Sequence, residues 1–198
     1  MDTTASSTRP ARERILDTAY ELFTRRGIRD VGVDELIERA NVAKATLYRY
    51  FPSKNALVDA FLERREEVWT LGWVEAEARQ RGGTAEEQLL AIFDLFDEWF
   101  HREDFEGCSF VNVMLELGPR DPAGQASVQH IETIRAFLCE LAEKAGVVEP
   151  EAFALSWHIL MKGSIVLASA GDLDAAQRAK EMGVALFERH RPSSRPKP

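Results

Sequence analysis

The stretch Val33–Lys54, VDELIERANVAKATLYRYFPSK, decides the fold. Two short helical patterns meet in it at a break around Asn41. In the first, Asp34 and Glu35 stand in an opening turn, where acidic side chains suit the positive end of a helix dipole, and Leu36, Ile37 and Ala40 form an inner face. Asn41 is a residue that tolerates the left-handed backbone of a tight turn. In the second pattern, at about 100° per residue, Ala43, Leu47 and Phe51 share one side while Ala45, Thr46, Tyr48 and Arg49 project from the other. Lys44, Tyr50 and Lys54 extend that outer set with further donors. An apolar inner face and a basic, aromatic outer face on the second of two short helices is the pattern of a helix-turn-helix reading head.

Working outward, Ile15, Ala19, Leu22 and Phe23 recur at helical spacing before the stop Arg25-Arg26-Gly27, which predicts a first helix over about 10–26. After the head, Pro52 ends the second short helix, expected over about 44–51, and Ser53 is a good N-cap for the next. That helix carries Leu57, Phe61, Val68 and Leu71 over about 53–80, longer than a three-helix head needs, and reads as a connector. Thr84-Ala85-Glu86-Glu87 has the capping-box spacing and opens a strongly amphipathic helix through Phe100. Shorter patterns follow over Cys108–Leu117 and from Asp121-Pro122 to Gly146. Residues 150–170 are apolar nearly all round, so this helix is either central or covered by a second subunit. A last helix spans about 175–189. No strand alternation and no internal repeat occurs, so the expectation is an all-α fold of about nine helices.

The 198 residues carry a net charge of −8, with 45% hydrophobic and 29% charged residues, a soluble globular composition. The charge is unevenly spread. Residues 9–54 hold ten Lys/Arg against seven Asp/Glu, so residues 1–54 stand at +2 and the remainder at −10. A mildly basic head on an acidic body fits a nucleic-acid partner for the head alone. The best apolar run, Ile159–Ala170, is interrupted by Lys162 and falls short of the ~18 residues of a membrane span. MDTTASSTRP lacks the apolar stretch of a signal peptide, which predicts a cytoplasmic protein with Cys108 and Cys139 as reduced thiols.

The outer face of the second short helix has the chemistry a DNA groove requires. Ala43 and Ala45 let its backbone come close, Lys44, Tyr48 and Lys54 reach phosphates, and Thr46, Arg49 and Tyr50 are candidates for base edges. The plain alternative is a solvated face of an ordinary helix. RERILDTAYELFTRRG at Arg12–Gly27, with VDELIERANVAKATLYRYFPSKNALV at Val33–Val58, resembles the N-terminal domain of TetR-type transcriptional regulators, LYRYFPSK most specifically. The resemblance implies an all-helical homodimer whose N-terminal domains bind a palindromic operator while C-terminal domains sense a small molecule. It implies DNA contacts from Lys44, Thr46, Tyr48, Tyr50 and Lys54, a head over 9–54 after an arm at 1–8, a ligand-binding and dimerisation domain over 55–190, and a flexible tail at 191–198. Dimerisation through the last two helices, about 150–170 and 174–189, follows from the same resemblance. Gly107–Asn112 is similar to a GC-x-x-x-N segment in a subset of these regulators. The chain departs from the pattern at Val31-Gly32, where a helix-capping hydroxyl is usual, at Asn41 in place of a turn glycine, and at Ile37 in place of a small alanine.

For the body, an apolar pocket is expected, because the fold implied by the resemblance surrounds a cavity with these helices. Its candidate lining is Phe93, Phe96, Trp99, Phe100, Cys108, Phe110, Ile134, Trp157 and Met161, with Asn112, Glu116 and His158 as polar anchors. Most of the aromatics also suit a plain core. Cys108 follows a glycine at a helix start, which makes it a candidate electrophile or oxidant sensor, a buried thiol being the commoner case. His101, His130, His158 and His190 have no metal-ligand spacing, and neither a glycine-rich phosphate loop nor a nucleophile elbow occurs. No catalytic residue, metal or cofactor is expected. The reading is thus a repressor released by a small, largely apolar effector, against a helical carrier or enzyme that does not bind DNA and, third, a DNA-binding regulator with no ligand, whose pocket would be occluded.

Overall fold

The computed structural model describes residues 9–192, and every regular element among them is helical. The order is α1 Ala11–Arg26, α2 Val33–Arg39, α3 Lys44–Tyr50, α4 Lys54–Arg65, a π-helical stretch Glu66–Glu75, α5 Ala76–Arg81, α6 Ala85–Phe100, α7 Ser109–Leu117, α8 Pro122–Lys144, α9 Pro150–Ser169 and α10 Ala175–His190. Lys54–Arg81 is helical without a break, and counted once it makes nine helices among the described residues, as the spacing predicts. The π-helical stretch inside it is not anticipated by the apolar pattern. The arm at 1–8 and positions 193–198 of the tail lie outside the described residues.

The chain forms two compact units, one comprising the chain to Glu67 with Ser109–His130, the other Val68–Cys108 with the chain from Ile131. α4, α7 and the start of α8 cluster with the head in the first unit. In the first unit α1 packs on α4. Ile15, Ala19, Leu22 and Phe23 are buried, and Phe61, fully buried, meets Phe23 and Tyr20 edge-on at 5.6 and 5.7 Å. The Arg64 guanidinium bonds to Asp17 at 2.6 Å and to Glu13, and it holds the Glu13 carboxyl below the usual carboxylate range.

In the second unit α6 is the central element. The predicted capping box forms, with Glu87 N–H donating to Thr84 Oγ1 at 3.2 Å and Thr84 N–H to the Glu87 carboxylate at 2.9 Å. α6 packs on α5, α9 and α10. Its Phe93 meets Trp157 of α9 at 5.1 Å, and Trp157 continues to Phe153 and Phe187 at 5.3 Å each. A second cluster joins Trp69 and Trp73 to Phe96, Trp99 and Phe105, with Trp99 and Phe105 only 4.7 Å apart.

Helix α9 is 20 residues long with a mean hydropathy of 1.3, which by length and composition alone suffices to cross a membrane. That corrects the expectation of no such run, which started the count too late. Only 44% of its apolar 18-residue window is buried: Phe153, Trp157, Met161 and Ile165 pack inward, while Leu155, Ile159, Val166 and Leu167 face out. It is therefore neither wholly central nor wholly covered within one chain.

Gly183 of α10 lets three helices meet. A Cβ there would lie 2.8 and 2.9 Å from the Trp157 ring and 3.3 Å from Phe93. Gly183→Ala is expected to destabilise the protein by about 1–3 kcal/mol through overpacking, read as a lower midpoint in thermal unfolding. An unchanged midpoint would mean that α10 does not approach Trp157 this closely.

Candidate nucleic-acid interface

α2 and α3 are seven residues each, too short to persist alone, so their geometry depends on what fixes their ends. Leu36, Ala40, Leu47 and Phe51 are buried, while Ile37 is half-buried and Ala43 is exposed, contrary to its expected place on the inner face. Asn41 adopts φ +50°, the left-handed turn its side chain tolerates, and Val42 N–H closes back on the Ile37 carbonyl at 3.2 Å. Arg14 then reaches over from α1: its guanidinium donates to the carbonyls of Ala40 at 3.1 Å and Asn41 at 3.0 Å. These carbonyls end α2 and have no helical partner, so one arginine both satisfies them and ties the turn to α1. Gly32 precedes α2 without a side-chain cap, as Val31-Gly32 implied.

On this frame α3 exposes Lys44, Ala45, Tyr48, Arg49 and Tyr50, with Thr46 half-buried. Lys44 lies 3.8 Å from Asp34, and with both side chains largely in solvent this pair offers little resistance to a phosphate. The Arg49 guanidinium stacks over the Tyr50 ring at 4.9 Å, a contact that orients its fork of donors. Lys54 is placed apart from the others. It is half-buried and its Nζ donates to the Ile28 carbonyl; burial lowers its pKa, opposed by the charge of Glu116.

Residues 15–61 match the family described as bacterial regulatory proteins, tetR family. The head is a TetR-family domain. YjdC of Escherichia coli, an HTH-type transcriptional regulator, is 27% identical over 86% of this chain and 91% of its own. YvkB of Bacillus subtilis, an uncharacterized HTH-type transcriptional regulator, is 36% identical over 52% of each chain, so the match reaches across about half of that relative. A TetR-family regulator from Streptomyces coelicolor has the same fold with a TM-score of 0.82 at 26% identity, covering 91% of this chain and 95% of that one.

The chain is a transcriptional regulator with an all-helical body, and the remaining candidate residues fall in different settings. Phe93, Phe96, Trp99, Phe100, Ile134, Trp157 and Met161 are all buried, with ring contacts joining Phe93 to Trp157 and Phe96 to Trp99 and Phe100, so as they stand they form core. Two cavities described in this unit have other linings. One of about 540 Å³ lies among Glu132, Arg135, Ala136, Cys139, Glu151, Ala154 and Leu155; one of about 270 Å³ lies among Ser156, Leu160, Met182, Ala185, Leu186 and Arg189. Phe110, Asn112 and Glu116 belong to the other unit, with the head. Phe110 stacks on His130 at 5.3 Å, Asn112 is exposed, and Glu116 accepts hydrogen bonds from the backbone of Ile28 and Arg29, so the expected inward anchors on α7 point elsewhere. Cys108 is buried, and Lys162 Nζ donates to its sulfur at 3.4 Å.

His158 does point inward. It is 8% exposed, its Nε2 is buried without a hydrogen-bond partner, and desolvation, helped by Lys162 and Arg135, lowers its pKa to about 4. Arg14 and Gly27 are the residues that periodicity alone does not single out. Arg14 sits beside the buried Ile15 and Leu16, but its partners lie 26 and 27 residues away.

Two outcomes are expected. Lys44→Ala lowers affinity for every duplex and reduces the slope of log affinity against log salt by about one, the signature of one lost phosphate contact; an unchanged slope in a titration at several salt concentrations would remove Lys44 from the interface. His158 stays neutral in the fold while the unfolded chain titrates near 6.5. The unfolded state therefore binds the extra proton between those values, and stability falls as pH drops from about 6.5 toward about 4. His158→Leu flattens that part of the pH–stability curve, and an equal slope in both proteins would sink the assignment.

Proposed function

We propose that this regulator is a dimeric repressor that binds a palindromic operator through α3 and is released by a small, largely apolar effector held in the C-terminal body. The observation that carries the reading is the exposed basic and aromatic face of α3 on a frame tied down at both ends of α2. Residues 9–54 supply the head, Lys44 and Tyr48 approach phosphates, Thr46, Arg49 and Tyr50 approach bases, and Ala45 lets the backbone come close, while Lys54 is engaged by the Ile28 carbonyl. The body comprises most of the remaining chain, and its aromatic core opens around the effector, with His158 as a polar anchor. The protein acts in the cytoplasm, with the DNA.

Dimerisation through α9 and α10 is supported by the apolar residues they leave in solvent. Ile159 is 71% exposed, Val166 58% and Met182 59%, with Leu155, Leu167 and Val184 beside them in the sequence of the same two helices. The 270 Å³ groove between these helices, lined by Leu160, Met182 and Leu186, adds a recess for a partner's side chains. A second copy uses the same surface on both sides, as two-fold symmetry requires. Effector binding then alters the angle of α4 and with it the spacing of the two recognition helices away from the ~34 Å of one DNA turn.

The test is selection of duplexes from a random pool. Recovery of an inverted repeat with half-sites about ten base pairs apart, bound more weakly as salt rises, supports the reading; salt-independent binding or none sinks it in favour of a carrier or enzyme. Ile159→Glu with Met182→Glu is expected to turn the dimer into a monomer by analytical ultracentrifugation. It should lower operator affinity by a factor on the order of 100 or more, because paired half-sites are no longer held by one molecule.

A further inference from the structure

The turn between α1 and α2 is held from outside the helix-turn-helix. Glu116 of α7, 88 residues further on, accepts a hydrogen bond from Ile28 N–H at 2.9 Å with one carboxylate oxygen and from Arg29 N–H with the other. A carboxylate receiving two adjacent amides is a strong, directional contact, since charge-assisted hydrogen bonds are about twice as strong as neutral ones. The site is built for it. Gly27 stands at φ +81°, and a Cβ there would come 2.8 Å from Glu116 Oε2, so glycine supplies both the turn and the space for the carboxylate. The turn carries Ile28 and Val31 into the core of the head, where they are 3% and 0% exposed.

The contact extends one step further. The Ile28 carbonyl accepts from Lys54 Nζ, and Lys54 is the first residue of α4. Glu116, the Gly27–Arg29 turn and Lys54 therefore form one chain of hydrogen bonds that fixes the entry to α2 and the start of the helix that follows α3. Arg14 fixes the turn between them. Buried Leu47 and, just after the helix, buried Phe51 anchor α3 in the core, and these flanking contacts fix the chain on either side of it.

We propose that Glu116 is a positioning residue for DNA binding: α7 supplies a carboxylate that holds the Gly27–Arg29 turn and, through the Ile28 carbonyl, Lys54, and thereby orients the recognition helix. The assignment rests on the reading that α3 binds operator DNA. It makes the minimal head of residues 9–54 incomplete without α7, in keeping with the grouping of Ser109–His130 with it.

The experiment uses the full chain and the duplex that the wild type selects, with affinity measured by fluorescence anisotropy at several salt concentrations. Glu116→Gln keeps the shape but turns an amide NH2 toward backbone N–H groups. It is expected to weaken operator binding about tenfold, the scale of one charged hydrogen bond, with an unchanged salt slope because no phosphate contact is lost. Exchange of the Ile28 and Arg29 amides should accelerate in this variant. Lys54→Gln weakens binding through the same turn, so the double variant is no weaker than the weaker single variant within about twofold, the non-additivity of coupled sites. Circular dichroism and thermal unfolding confirm that each variant is folded; should Glu116→Gln not fold, Glu116→Asp, which keeps the charge but shortens the reach, serves in its place with the same expectation. Unchanged or tighter operator binding, a changed salt slope, or strictly additive losses would each overturn the assignment while leaving DNA binding intact. Failure of the wild type to select any duplex overturns the operator reading itself and this assignment with it.

Discussion

A helix of seven residues cannot hold itself in water, and the reading head of this regulator contains two of them. Their hydrogen bonds do not offset the entropy of ordering the chain, so everything that makes α3 a recognition helix has to come from outside α2 and α3. Part is apolar: Leu36, Leu47 and Phe51 go into a core closed by Phe23 and Phe61 of the longer α1 and α4. The rest is polar and specific. Arg14 takes the carbonyls that end α2, Glu116 takes the amides that precede it, and Arg64 clips α4 to Glu13 and Asp17 of α1. The outer face is left without such duties, which keeps Lys44 and Tyr48 available to a groove.

The body solves a different problem. Its amphipathic α6 and apolar α9 have more apolar surface than one partner covers, and aromatic side chains fill the space between them in edge-on and tilted contacts. Close approach needs one position with no side chain, Gly183, against which the Trp157 ring lies. The same packing leaves the outer side of α9 uncovered, because a helix apolar all round has more faces than α6 and α10 occupy. That exposed surplus is the observation on which the proposed dimer rests.

Much of this was readable from particular residues. The alternation of Leu36, Leu47 and Phe51 with Lys44, Tyr48 and Arg49 marked the head, Thr84 with Glu87 marked the start of α6, and Asn41 marked the turn, because each obeys a rule that acts within a few residues. Ala43 went the other way: helical phase put it with Leu47, but as the residue before the helix it is exposed. The candidate pocket was less legible still. An aromatic that lines a cavity and one that fills a core have the same spacing, so Phe93, Phe96 and Trp157 carried no sign of which they were. Asn112 and Glu116 looked like inward anchors on an apolar helix; one is exposed and the other serves the head.

By itself, the sequence determined the helical class, the order and approximate limits of the helices and the basic head on an acidic body, since periodicity, capping and charge are properties of neighbouring residues; the family was legible only through the resemblance of stretches such as LYRYFPSK. Tertiary structure alone decided that α7 packs with the head, that Lys54 turns to the Ile28 carbonyl, that Gly27 makes room for Glu116, and that α9 keeps one side open. The reason is the same in each case. The hydrogen bonds among them join residues 26 to 88 positions apart, the open side of α9 depends on how many helices surround it, and no local pattern records either.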